Sequence, residues 1–210
     1  MSILEKIKKN LLNFSAKEKS FILSVCLSVF FISCDYAIIR PASTSIFLSY
    51  YTSKLFPYCW MLAIPINLLI IYIYNKLLLK YGSLKTFFIF ILSIILMHIA
   101  SALLIEKFHF MTFLQFIFKD VYILLSFKQV WSLIHSTIDT SKAKFLYGLM
   151  FGIGSLGSVL GGLISALFAV KIGSHNLFLF SVPIYLLVFY FYLKAYKNSP
   201  VLTDDYNHNT

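Results

Sequence analysis

Along most of this chain the apolar residues neither alternate nor recur on one helical face; they run on without interruption. Six stretches, at about residues 21–39, 57–75, 86–105, 110–135, 145–170 and 177–193, are mostly apolar and are separated by short polar segments. About 20 helical residues cross the roughly 30 Å hydrocarbon core of a bilayer, so each run is long enough to span one. Strands of an outer-membrane barrel would instead alternate over about ten residues. The expected fold is an all-α integral membrane protein with six transmembrane helices in one domain, residues 21–193. Before it, Ile3, Leu4, Ile7, Leu11 and Phe14 recur at helical spacing among lysines, predicting a basic amphipathic segment over residues 1–20 on the inner membrane surface. About 20 residues precede the first span and no small-x-small cleavage site follows it, so it is read as uncleaved. Residues 194–210 read as a polar tail.

Composition agrees with that pattern: 60% of the 210 residues are hydrophobic and only 12% are charged, about half the charged fraction of a soluble domain. The net charge of +10 would suggest nucleic acid in a soluble protein, but its distribution argues otherwise. With the N-terminus inside, twelve lysines fall on inside segments, against Arg40, Lys54, Lys107 and Lys171 outside. This is the positive-inside bias that sets topology. Both termini are expected in the cytoplasm, and no nucleic-acid partner is expected. The preference for Lys over the sole arginine, Arg40, with abundant Ile, Phe, Tyr and Asn, is the usage of an AT-rich genome. It points to a bacterial inner membrane.

Charges inside the spans narrow the picture, because an ionisable group in lipid is costly unless it faces protein or water. In the fourth span, at about 100° per residue from Asp120, Trp131 falls near 20°, His135 near 60° and Lys128 near 80°. That shared polar face is expected to line a cavity. Asp120 and Lys128 lie roughly 12 Å apart along a helix and cannot pair with each other. Asp35 shares a stripe with Ser24 and Ser28 in the first span, and Arg40 precedes Pro41, after which the apolar run resumes, so this helix is expected to continue, bent, toward Tyr51. A guanidinium beside a helix break is a candidate anion site.

Residues Gly152–Gly157, "GIGSLG", match a dinucleotide-binding fingerprint literally. The fingerprint requires a preceding strand and an acidic residue about 20 positions on. No Asp or Glu stands between Asp139 and Asp204. On a helix, Gly148, Gly152 and Gly162 fall on one side and Gly154, Gly157 and Gly161 on the other, predicting a helix clasped between two neighbours. The chain has no phosphate-cradling P-loop, no H-E-x-x-H and no metal-spaced Cys/His set, and Cys26, Cys34 and Cys59 read as small buried hydrophobes. Neither an enzymatic activity nor a cofactor or metal is expected.

Two segments carry a resemblance. "DYAIIRPASTSIFLSYYTSKLFPYCWMLAIPINLLIIYIYNKLL", Asp35 to Leu78, and "DVYILLSFKQVWSLIHSTIDTSKAKFLYGLMFGIGSLGSVLGG", Asp120 to Gly162, together nearly half the chain, resemble the nucleotide transporter family, the bacterial and plastid ATP:ADP antiporters. The first is similar to that family's Y-x-x-L-R-P stretch and Leu-Pro-Tyr-x-Trp helix. The second is similar to its acidic residue eleven positions before Phe-Trp-Ser-Leu, its basic loop and its glycine-rich helix. The resemblance implies one six-helix half of a major-facilitator-like bundle, exchanging ATP, ADP or another anionic metabolite without hydrolysis. Arg40, Asp120 and Trp131 match family positions, and Lys142 and Lys144 fall in its cytoplasmic loop. Substrate contacts are expected from Arg40, Asp120, Lys128, Trp131 and Asp35. Ser43 and Thr44 stand where the family places a basic residue and an Asp, and His135 and Ser136 where it often has Asn-Asp. The fold implied needs about twelve helices, so a homodimer or a separately encoded second half is expected. The alternative is a truncated, non-transporting paralogue acting in assembly.

Overall fold

A computed structural model describes residues 14–138 and 140–199, without the side chains of residues 140–143. Residues 1–13 of the amphipathic N-terminal segment, most of the polar tail and the Lys142 side chain lie outside what is described. Five α-helices account for most of the fold: α1 (Ala16–Tyr50), α2 (Phe56–Leu104), α3 (Phe110–His135), α4 (Thr140–Ile172) and α5 (Ser181–Lys197). Short 3₁₀ turns at Ser53–Leu55 and Asn176–Phe180 lead into α2 and α5. There is no strand among the described residues. Five helical segments are long and apolar enough to cross a membrane.

Helix α1 begins before its apolar run because Ser15 and Glu18 form a reciprocal capping box, with Glu18 N donating to Ser15 Oγ at 3.2 Å and Ser15 N donating to Glu18 Oε2 at 2.8 Å. It runs on through Arg40 and Pro41 to Tyr50 as one helix, as the renewed apolar run predicts. The Thr44 hydroxyl donates to the Arg40 carbonyl at 2.9 Å just past the proline. Its buried positions, among them Phe21, Val25, Ile32, Ile38 and Phe47, face several directions because α1 is the central strut, packed on α3, α4 and α5.

Helix α2 carries two of the predicted spans in one element of 49 residues, about 73 Å if straight and far longer than a bilayer core. It is not straight. Gly82 breaks it with φ 76° and ψ 172°, a conformation essentially restricted to glycine. The arms 56–81 and 83–104 fold back on each other. Phe56 packs on Phe47 at 5.2 Å between ring centroids, and Ile105, just past the far end of α2, lines the same pocket as Ile46. Both ends of α2 therefore reach one pole of the bundle and Gly82 the other. The opposite pole gathers Ser20 with Asn198 (3.0 Å), Thr137 with Ser199 (2.8 Å) and Ser83 with Tyr192 (3.0 Å). Lysines 17, 19, 85, 144, 194 and 197 belong to this second pole, whereas Lys54, Lys107 and Lys171 belong to the first. The charge asymmetry of the sequence is thus a separation between two ends of one bundle.

Two expectations are corrected. Lys142 and Lys144 do not stand in a loop: α4 starts at Thr140, so both lie in its opening turns. The run Lys-Ala-Lys-Phe-Leu that follows offers good helix formers and no breaker. The glycine-rich helix is clasped on one side only. A Cβ on Gly157 would lie 2.2 Å from the Phe30 carbonyl oxygen, one on Gly161 2.1 Å from that of Cys34, and one on Gly154 3.1 Å from Ser33 and Val29. These three glycines seat α4 on the backbone of α1. Gly148, Gly152 and Gly162 meet nothing within 4 Å, because no other helix among the described residues reaches that side of α4.

Candidate functional site

The open side of α4 borders a groove. Helix α3 packs by Tyr122, Leu125, Ser126, Gln129 and Val130, all buried, and leaves its other face uncovered. That face is the polar one read from the sequence: Lys128 and His135 are exposed, and Asp120 and Trp131 are partly so. Helices α3 and α4 touch only slightly, and a cleft of about 320 Å³ opens between them over α1, lined by Ser33, Trp131, Met150, Gly154, Ser155 and Ser158 among others. Trp131 stands in its wall, in an aromatic cluster with Tyr147 at 4.6 Å, Phe151 at 6.0 Å and His135 at 6.4 Å between ring centroids. The Tyr147 hydroxyl lies 3.2 Å from His135 Nδ1.

Farther along α3, about 16 Å from Trp131 at 1.5 Å per residue, Asp120 accepts from the Tyr36 hydroxyl at 3.1 Å and from Lys119 Nζ at 3.2 Å. Lys119 is the buried member of this pair. Its ammonium also donates to the Phe116 carbonyl at 2.8 Å and lies 3.6 Å from the Phe116 ring centroid. The cation is thus held by a carboxylate, a carbonyl and a ring face at once. One turn along α1 from Tyr36, the Arg40 guanidinium is exposed, 5.9 Å from the Tyr36 ring centroid, and no carboxylate pairs with it among the described residues. Arg40, Tyr36, Asp120 and Lys119 therefore form one charged cluster carrying two cations and one anion.

Lys128 is placed apart from this cluster. It donates to Asn75 Oδ1 on α2 at 2.6 Å and lies 5.5 Å from the Tyr74 ring centroid, on the flank of α3 turned toward α2. Asp35 is placed apart too. It is fully buried and accepts from Tyr122 at 2.9 Å and, at close range, from Ser181, so it joins α1, α3 and α5 and does not open on the groove. Of the five expected contact residues, Arg40 and Asp120 come together in the charged cluster, and Trp131 lines the cleft between α3 and α4 farther along the same face. Lys128 borders α2, and Asp35 is enclosed.

Several participants escaped the sequence reading. Tyr36 does not stand out in the sequence, because a tyrosine among apolar residues carries no polar signal, although it immediately follows Asp35. Gln129 accepts from Tyr74 at close range and donates to Tyr192 at 2.7 Å and Ser83 Oγ at 2.6 Å, and Gln115 accepts from Ser101 at 2.9 Å. An amide inside a span was the signal that could have found both.

No family model, curated protein or solved structure matches this chain. The resemblance to nucleotide transporters rests on the two quoted segments.

Proposed function

We propose that this chain is one half of a membrane transporter for anionic metabolites, nucleotides such as ATP and ADP being the class that the family resemblance favours. The two arms of α2 each cross the membrane in this reading, giving six crossings, with both termini at the cytoplasmic face of a bacterial inner membrane. The observation that carries it is the uncovered polar face of α3 beside the cleft. A face bearing Asp120 and Trp131, beside an exposed arginine and the open glycine side of α4, is ill suited to lipid and well suited to a second bundle across a water-filled cavity. Arg40 would give a phosphate a bidentate partner, and Trp131 a stacking surface. Asp120, tethered to Tyr36 of α1, would shift as α3 moves against α1. Exchange needs no hydrolysis, so no nucleotide-cleaving residues are called for. The second bundle is another copy of the chain or a separately encoded half.

The experiment is uptake of labelled ATP and ADP into vesicles containing the chain, alone and with candidate partner halves. Absence of uptake in every combination removes the proposal. A second reading, a non-transporting assembly subunit, is favoured by the contacts of Lys128 with Asn75 and of Asp120 with Tyr36 and Lys119, which satisfy charges within the chain. It is favoured too by Ser43, buried without a hydrogen-bond partner where the family places a positive charge. Specific self-association without uptake would support that reading.

A further inference from the structure

Away from the groove, Asp35 occupies a place that transport through the groove does not use. Its carboxyl is fully buried at the junction of α1, α3 and α5. No lysine, arginine or histidine forms an ion pair with it among the described residues. What faces it is neutral: the Tyr122 hydroxyl from α3 on one oxygen and the Ser181 hydroxyl from α5 on the other. Tyr185, also from α5, is 5.9 Å from Tyr122 between ring centroids and pairs with Ser126 at 3.4 Å. From the second arm of α2, the His98 ring stands edge-on to Tyr122 at 5.2 Å, and its Nδ1 lies 2.8 Å from the Ile94 carbonyl. Cys34 and Tyr36 flank Asp35 on α1 itself, and α4 presents Gly161 to the Cys34 carbonyl. An acid surrounded by hydroxyls can exist in both protonation states, because a hydroxyl donates to a carboxylate and equally accepts from a carboxylic acid. Ionisable groups held inside a membrane bundle mark functional sites, proton relays among them.

We propose that Asp35 is a proton-binding site, taking up one proton on acidification and releasing it on alkalinisation within its cluster of hydroxyls. The step forms and breaks a single O–H bond at the carboxyl and moves no other electrons. It does not depend on the identity of any transported molecule. The test is infrared difference spectroscopy of the full chain in lipid nanodiscs during a pH titration. The expected result is a carboxylic C=O stretching band that grows on acidification, fades on alkalinisation and is missing in Asp35→Asn. Tyr122→Phe keeps the carboxyl and removes one hydroxyl, so it should move the band in frequency without abolishing it, which also decides the matter if Asp35→Asn does not fold. A titrating band unchanged in these variants, or no titrating carboxyl band at all, overturns the proposal and leaves Asp35 a static tie between helices.

Discussion

Tyr74 and Phe90 lie eight residues to either side of Gly82, and their rings meet edge-on with centroids 5.6 Å apart and planes at 77°. In a straight helix those residues would be about 24 Å apart, so this contact measures how completely α2 reverses. The reversal depends on one backbone conformation. Because a Cβ at Gly82 would meet nothing within 4 Å, the obstacle to substitution is dihedral strain and not crowding. Gly82→Ala is expected to cost about 1–3 kcal/mol, read as a lower unfolding temperature in detergent. Gly82→Asn should fare no better, since asparagine tolerates the left-handed helical region but not a ψ near 172°. Equal stability of the two variants and the native chain would refute this account.

The same turn is bolted by Gln129, which bonds Tyr74 of the first arm, Ser83 of the second and Tyr192 of α5. Hydrogen bonds between helices in membranes contribute about 0.6 kcal/mol each on average and up to about 2 kcal/mol. Gln129→Leu, close in volume, is therefore expected to lower stability by about 1–3 kcal/mol, because three hydroxyls lose a partner in a buried place. Thermal unfolding of the purified chain checks it. Tyr192→Phe should cost less, since it leaves the amide its bonds to Tyr74 and Ser83.

What could be read from the linear chain follows a physical division. The polar face of α3 was legible because helical geometry fixes which residues share a side, and four polar groups in an apolar span stand out. The break between the second and third spans was legible as a polar interval, but its sharpness depends on the φ of Gly82, which a single glycine does not announce. The burial of Asp35 was not legible: its partners Tyr122 and Ser181 lie 87 and 146 residues away. The glycine faces were half legible. Periodicity separates them, but which has a neighbour depends on where α1 passes.

That difference between faces gives the next prediction. Gly157→Ala and Gly161→Ala place a methyl 2.2 and 2.1 Å from α1 carbonyl oxygens, well inside van der Waals contact, so α4 must move away from α1. Each should destabilise the chain by about 1–3 kcal/mol or more. Gly152→Leu and Gly162→Leu have room and should leave the unfolding temperature of the isolated chain unchanged within error. If the open side receives a second bundle, these two should nonetheless weaken association, measured by cross-linking yield or native gels. An unaltered oligomer in both would place the partner elsewhere.

The charged cluster offers the most direct test of the transport proposal. Arg40 is exposed and joins no carboxylate among the described residues, so Arg40→Ala should leave folding intact and reduce nucleotide uptake at least tenfold, about the effect of 1.4 kcal/mol in substrate stabilisation. Arg40→Lys should restore little of it if the guanidinium holds a phosphate through two parallel bonds, because an ammonium offers no such fork. Tyr36→Phe separates this role from a structural one. It removes the bond from α1 to Asp120 but keeps the ring beside Arg40, so it should slow turnover more than it weakens half-saturation, whereas Arg40→Ala should do the reverse. Parallel losses in both parameters for both variants would show that the cluster only holds α1 to α3.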